Sequence, residues 1–197
     1  LAWWLARSDS PVRSVVEAVV AMPLVLPPTV LGFYLLVLLN PESSVGGFWM
    51  ELTGASLTFS FSGLVLASIV YSLPFMVQPL HAAFRAVPEA VMEAAATLGA
   101  SSWDRWLNVA LPLAKRGYVT GGVLTFAHTV GEFGVVLMMG GNIPGETRVL
   151  SIAIYEHVET LNYDAAHTLA LGLLCFSFAS LWLVYRYAGH RFEVVRG

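Results

Sequence analysis

Hydrophobic positions in this chain form long, nearly uninterrupted runs. They show neither the alternation of a half-buried strand nor the single stripe of a surface helix. A run of about 20 apolar residues is the length that a helix needs to cross a bilayer. Four runs reach it, and we predict spans at residues 14–39, 59–80, 117–139 and 165–187. The pattern therefore predicts an all-α integral membrane protein, a polytopic bundle of transmembrane helices.

The chain opens with a shorter apolar stretch, Leu1–Ala6, and its first residue is not Met. We interpret this stretch as the end of an earlier hydrophobic segment. An N-terminal portion with about one further span is then expected to be missing. Residues 1–197 are accordingly predicted to be one transmembrane domain that is partial at its N-terminus.

Basic residues predict the orientation of the spans. Nine of the ten Lys and Arg residues fall before the first span, in the segment 81–116, or from Arg186 at the end of the last span onward, and only Arg148 falls in the other connections. Because basic residues are concentrated on the cytoplasmic side of membrane proteins, these three segments are predicted to be cytoplasmic. The C-terminus is then cytoplasmic as well.

Composition supports the membrane class and excludes several others. Apolar residues make up 57% of the chain and charged residues 12%, about half the charged fraction of a soluble domain. A net charge of −3 gives no basic footprint for nucleic acid. Cys175 is the single cysteine, so a disulfide scaffold is impossible.

The segment 81–116 is too long for a plain helix connection, and it has internal order. Val87, Val91, Ala95 and Leu98 have helical spacing, which predicts a short helix with one apolar face. Gly99 suits the end of that helix. Ser101 or Ser102 is then expected to cap a second short helix that ends before Pro112.

This segment carries a resemblance to a known family. Glu93-Ala94-Ala95, then Gly99, Val109 and Leu111-Pro112, resembles the EAA loop of ABC importer permeases, in which Ile is usual at the position of Val109. The resemblance implies a coupling helix that docks into a cleft of an ATPase subunit. It assigns this contact to Glu93, Ala94, Ala95, Gly99, Leu111 and Pro112. An amphipathic surface helix without a partner is the alternative.

Two other stretches narrow the family. The segment from Met22 to Gly32 and the segments Gly131–Gly134 and Gly140–Arg148 are similar to those of molybdate permeases. Sulfate and thiosulfate permeases resemble them here but lack the Pro-Gly-Glu-Thr run. The implied protein has the type I ABC importer permease fold and carries molybdate, or tungstate. A permease for sulfate, thiosulfate or another oxyanion is the alternative.

The same resemblance implies the partners. They are a second copy in a homodimer, two ABC ATPase subunits that bind ATP and magnesium, and a periplasmic or lipid-anchored molybdate-binding protein. The resemblance also implies that the protein lies in the cytoplasmic membrane of a bacterium or archaeon, which is the inner membrane in cells that also have an outer membrane. No cofactor is expected in this chain.

Polar and small residues share one face of the third predicted span. Gly117, Gly121, Thr125, His128 and Glu132 follow one another at intervals of three or four residues. One hypothesis is that this face lines or gates the translocation path at the subunit interface. The other is tight helix packing, with His128 and Glu132 paired. A carboxylate would repel a dianion, so Glu132 is expected to gate or pack rather than bind substrate.

Pro27 and Pro28 belong to a proline-rich run in the first predicted span. Proline removes backbone donors, so the run is expected to bend or break the helix. Such backbone is tolerated against protein or a water-lined cavity. A bend beside the translocation path and a plain kink filled by neighbouring side chains are both compatible with the pattern.

The sequence offers no catalytic or metal-binding constellation. It lacks the Gly-rich phosphate loop with Lys and Ser or Thr, so we predict a transport subunit that leaves ATP hydrolysis to its partner. A stand-alone secondary carrier is a rival that would not need the EAA-like loop. An intramembrane enzyme using His128 and Glu132 as acid and base is a third class, which nothing else supports.

Overall fold

A computed structural model describes the backbone of residues 1–188 and the side chains of residues 1–186, and every regular element in that part of the chain is helical. The helices are α1 (Ala2–Arg7), α2 (Arg13–Val25), α3 (Pro28–Leu39), α4 (Ser44–Thr53), α5 (Phe61–Arg85), α6 (Glu89–Thr97), α7 (Ser102–Arg105), α8 (Leu111–Leu113), α9 (Lys115–Gly131), α10 (Gly134–Gly140), α11 (Leu150–Glu159) and α12 (Tyr163–Ala188). A π-helical turn, Trp106–Ala110, joins α7 to α8. The predicted cytoplasmic C-terminus, with Arg191 and Arg196, lies outside the described residues.

The first predicted span, 14–39, is two helices instead of one. The axes of α2 and α3 differ by 115°. Pro27 precedes α3 and Pro28 is its first residue, a position where the missing N–H costs nothing. Two successive prolines cannot continue the helix before them, which explains why the chain turns here.

The third predicted span, 117–139, is also interrupted. Helix α9 ends at Gly131 and α10 begins at Gly134, with 62° between their axes. The sequence showed glycines here but no proline, so a break at Glu132 and Phe133 was not predicted. At this break, the Glu132 side chain accepts a hydrogen bond from the first turn of α10.

The other two predicted spans are continuous helices. Helix α5 runs five residues beyond the predicted end at residue 80, into the segment predicted as a loop. Helix α12 covers the predicted span 165–187. In the most apolar part of α5, 44% of the residues are buried, whereas in the most apolar part of α12 only 11% are buried. Most of the apolar surface of α12 is therefore not covered by the rest of the described chain. By length and composition, the described residues hold two helices able to cross a membrane, or up to four spans if each bent pair counts as one.

The chain divides into two compact units. One contains residues 1–20, 74–126 and the described part from Ala179, and its buried side chains include Leu5, Phe84 and Val87. The other contains Ala21–Leu73 and Ala127–Phe178. Its apolar core is built from α3, α5, α10, α11 and the segment before α5, with Leu35, Leu57, Leu64, Tyr71, Val135, Met139 and Ile152 among its members.

Candidate functional site

Helix α6, which carries Glu93, Ala94 and Ala95, has no buried residue. The predicted apolar face is only partly covered: Val87 just before the helix is buried, but Val91 is 43% exposed and Leu98 is 88% exposed. Burial of a large apolar side chain contributes about 1.5–3 kcal/mol. A short helix that leaves such residues uncovered presents a surface that a partner can bury.

Gly99 ends α6 in the conformation that the sequence predicted. Its φ is +86°, in the left-handed region where a side chain is strained. The Gly99 N–H donates to the Ala96 carbonyl and the Ala100 N–H donates to the Ala95 carbonyl, both at 3.0 Å. These two bonds form a Schellman motif, which satisfies the last carbonyls of the helix. Beyond its chain neighbours, no atom of residues 1–186 lies within 4 Å of the position that a Cβ at Gly99 would occupy.

The second short helix differs from its predicted form. Ser101 caps α7 as expected, accepting a bond from the Asp104 N–H at 3.2 Å. The chain then stays helical through the π turn and through Pro112, up to Leu113, instead of ending before the proline. Pro112 lies just after the π turn, in the first turn of α8, a position where the missing N–H of proline is tolerated. Leu111 and Pro112 therefore continue directly towards α9.

Glu93 lines a cavity of about 270 Å³ that is bordered by residues of α1, α6 and α7. The other lining residues are Trp3, Arg7, Glu89, Met92 and Arg105. The cavity thus brings two carboxylates and two guanidinium groups close to the EAA-like motif. The sequence had placed Arg7 only as an orientation signal, since it stands 86 positions before Glu93 in the numbering.

Within the first unit, the small face of α9 packs against α5. A Cβ at Gly117 would lie 2.5 Å from the Ala83 Cβ and 2.9 Å from the Pro79 carbonyl oxygen. A Cβ at Gly121 would lie 2.9 Å from the Met76 sulfur. Real Cβ atoms do not approach so closely, so these glycines permit a close helix contact. At both positions the structure favours the packing hypothesis.

His128 is joined to α5 by side-chain hydrogen bonds in the second unit. The Ser72 Oγ lies 3.2 Å from the His128 Nδ1 and 2.8 Å from the Thr129 Oγ1. The Tyr71 ring is 5.5 Å from the His128 ring, and the Tyr71 hydroxyl lies 3.1 Å from the Ser68 Oγ. Polar groups within a membrane are stabilised by such bonds between helices. Sequence analysis missed Ser68 and Ser72, although their i,i+4 spacing on an apolar helix was a usable signal.

Glu132 has a defined structural task at the break between α9 and α10. Its Oε1 accepts a hydrogen bond from the Val135 N–H at 3.1 Å, and its backbone carbonyl accepts one from the Ser151 hydroxyl at 2.5 Å. The carboxylate therefore stabilises the first turn of α10. This geometry agrees with a gate or packing element.

The remaining candidates differ in exposure. Pro27 and Pro28 are exposed at the break between α2 and α3, whereas Thr125 is half-buried and its hydroxyl has no hydrogen-bond partner within residues 1–188. Pro28 also forms a close contact, because a Cβ at Gly134 would lie 2.7 Å from its Cβ. In the described part of the chain, no group of three or more His, Cys, Asp or Glu side chains is arranged to hold a metal ion.

The segment with the Pro-Gly-Glu-Thr run is an ordered turn. Thr147 is buried, its hydroxyl donates to the Gly140 carbonyl at 2.6 Å, and it accepts from the Ile143 N–H at 3.2 Å. Arg148 bonds the Asn142 side chain at 2.7 Å and the Glu156 carboxylate at 3.1 Å. The threonine of the run and the arginine that follows it thus stabilise the connection between α10 and α11.

Comparison with known proteins identifies permeases of molybdenum and sulfate transport systems as relatives of this chain. The molybdenum transport system permease protein ModB of Azotobacter vinelandii is 54% identical over 94% of this chain and 82% of its own length. ModB of Escherichia coli K12 is 39% identical over 81% of this chain and 69% of its own. A probable sulfate transport system permease protein of Zygnema circumcarinatum is 32% identical over 93% of this chain and 64% of its own length.

Among solved structures, the fold resembles a chain of a bacterial alginate ABC transporter. The TM-score is 0.69 at 16% identity, over 94% of this chain and 68% of the other. Residues 1–190 match the family model of the binding-protein-dependent transport system inner membrane component. The chain therefore belongs to this family of ABC importer permeases and has its all-helical fold.

Proposed function

We propose that this chain is the transmembrane subunit of an ATP-driven importer for molybdate, and for tungstate where its binding protein accepts that anion. The observation that supports this substrate is the 54% identity to a molybdenum permease over nearly the whole chain. The ordered turn around Thr147 and Arg148, built from the run that sulfate permeases were expected to lack, is consistent with it.

The proposed partners follow from the exposed surfaces. Helix α6 docks on an ABC ATPase, which binds ATP and magnesium, and Glu93, Ala94, Ala95, Gly99, Leu111 and Pro112 form or support that contact. The uncovered Val91 and Leu98 supply apolar surface for it. The sparsely buried α12 leaves apolar surface for lipid or for a second copy in a homodimer. A molybdate-binding protein delivers the anion from outside.

The translocation path is proposed to run beside the exposed Pro27 and Pro28, where the broken helix leaves backbone groups near the surface. Thr125, His128 and Glu132 would act as gate elements rather than ligands. Their role is to hold helix contacts that change when the ATPase subunits close. The hydrogen bonds of His128 and Glu132 support this role, because both residues are engaged with protein groups.

Reconstitution tests the proposal. The chain would be co-expressed with the ATPase and binding protein of its own cell and placed in vesicles, with molybdate uptake measured at matched sulfate concentrations. We expect molybdate accumulation that requires both ATP and the binding protein. Vesicles without the binding protein are the control. Uptake without the ATPase would indicate a secondary carrier, and uptake of sulfate alone would indicate a sulfate permease, the second candidate that the relative from Zygnema supports.

A further inference from the structure

Arg7 makes a contact between the N-terminal helix and the start of the coupling segment. Its Nη2 donates a hydrogen bond of 2.7 Å to the carbonyl oxygen of Val87, two positions before α6. Val87 is buried, and its own N–H bonds the Phe84 carbonyl at 3.3 Å. A bond from a charged guanidinium to a carbonyl is stronger than one between neutral groups. The residue that leads into α6 is therefore attached to α1 as well as to α5.

Helix α1 is in turn packed against α5 through aromatic side chains. The Trp3 ring meets the Phe84 ring of α5 edge to face, with centroids 5.2 Å apart, and Phe84 meets Tyr118 of α9 at 6.0 Å. Leu5 and Phe84 are each only 2% exposed. The Arg7 guanidinium also lies over the Trp3 ring, 5.3 Å from its centroid. The backbone of Arg7 thus belongs to a helix packed on α5, and its guanidinium group binds the residue that leads into α6.

We infer that Arg7 is a positioning residue for coupling, which makes α1 move together with α6 when a partner displaces the coupling helix. Helix α6 has no buried residue of its own and few ways to transmit a displacement. Along the chain, α6 is connected to α5 through residues 86–88 and to α9 through α7, the π turn and α8. The hydrogen bond from Arg7 adds a third connection, to α1, whose last residue stands 80 positions before Val87 in the chain. This inference rests on the proposed function.

The first test measures molybdate imported per ATP hydrolysed in vesicles that contain the whole complex. Arg7→Met keeps an apolar stem against Trp3 but removes the donor, and we expect it to lower this ratio by about tenfold, the effect of losing a charged hydrogen bond. Arg7→Lys keeps a charge and a donor and is expected to restore most of the ratio. Arg116→Met removes an exposed arginine of the same cytoplasmic set and should leave the ratio unchanged. An unchanged ratio in an intact Arg7→Met complex would overturn the inference.

A second measurement decides the question even if Arg7→Met does not assemble. Nitroxide labels at Asp9→Cys and Ala90→Cys, both exposed positions, report the distance between α1 and α6 in a Cys175→Ala background. With Arg7 present, the distance should be the same in nucleotide-free and vanadate-trapped complexes. A distance that changes between these two states would show that α1 does not follow α6. If the wild-type complex imports no molybdate, the proposed substrate fails, but the label distance still tests the connection.

Discussion

At the scale of single residues, Gly99 is the position where local geometry and proposed function meet. Its positive φ and the two bonds of the Schellman motif set the direction in which the chain leaves α6. Among the described residues, none approaches the position of a Cβ here, so no contact with them forbids a side chain. A substitution there acts through backbone strain and through whatever approaches from outside.

Gly99→Val is expected to leave the protein inserted but to abolish uptake. Valine at this φ costs about 1–3 kcal/mol of strain, and its branched side chain projects from the proposed docking surface. Gly54→Val is the matched control, because Gly54 also ends a helix at positive φ, +73°, in open space, but in the connection predicted to lie outside. For both variants, molybdate uptake is measured in vesicles, and assembly of the complex is measured by size-exclusion chromatography. Equal loss in the two variants would mean that strain alone, and not docking, is responsible.

At the scale of helices, the contact between α3 and α10 depends on small residues. A Cβ at Gly134 would meet the Pro28 Cβ at 2.7 Å, and one at Gly32 would meet the Met138 Cβ at 2.8 Å. Two short helices, each the second member of a bent helix pair, are thus packed at van der Waals distance within the second unit. Close packing of this kind tolerates little added volume.

Gly134→Ala is therefore expected to destabilise the protein. Overpacking costs about 1–3 kcal/mol, which should lower the melting temperature of the purified complex by at least about 2 °C. Gly131→Ala, three residues earlier, adds the same methyl group where no atom lies within 4 Å, and it should leave the melting temperature unchanged or raise it. Thermal unfolding in detergent provides the comparison. A contrary result would be equal melting temperatures in the two variants.

Thr125 tests the two hypotheses for the face of α9. It follows Gly121 by one helical turn and is half-buried, so we expect Thr125→Trp to overpack the helix contact and dissociate the complex. Thr125→Val, which keeps the volume and removes the unpartnered hydroxyl, should retain assembly. Size-exclusion and uptake are measured together. An intact Thr125→Trp complex that transports nothing would instead support a path-lining role, and full uptake in an intact complex would contradict both hypotheses.

At the scale of the whole molecule, the distribution of basic residues predicts a topology that labelling can check. Single cysteines at Ala55 and Thr160, both exposed, should react with a membrane-impermeant maleimide in intact spheroplasts of a Cys175→Ala background. Cysteines at the exposed Asp9 and Ala86 should react only after permeabilisation. The positive-inside rule is the physical reason. Reaction at Ala86 in intact spheroplasts would reverse the orientation.

The sequence by itself determined the class, the family and the order of the main elements. Apolar runs of spanning length need no tertiary information, because a bilayer requires the backbone to satisfy its own hydrogen bonds. The turn at Gly99 was equally predictable, since a positive φ depends on the residue itself and on the end of the helix before it. The successive prolines at residues 27 and 28 predicted a bend or break, although not its angle of 115°.

Only the tertiary structure decided the features that depend on partners distant in the chain. At the break, the Val135 N–H bonds the Glu132 carboxylate from only three positions away, but the Ser151 hydroxyl that donates to the Glu132 carbonyl is 19 positions away and has no local signature. The bonding of His128 to Ser72 and of Arg7 to Val87 joins residues 56 and 80 positions apart. Helical periodicity shows that residues share a face, but the identity of the helix opposite that face is set by packing, which the sequence pattern does not encode locally.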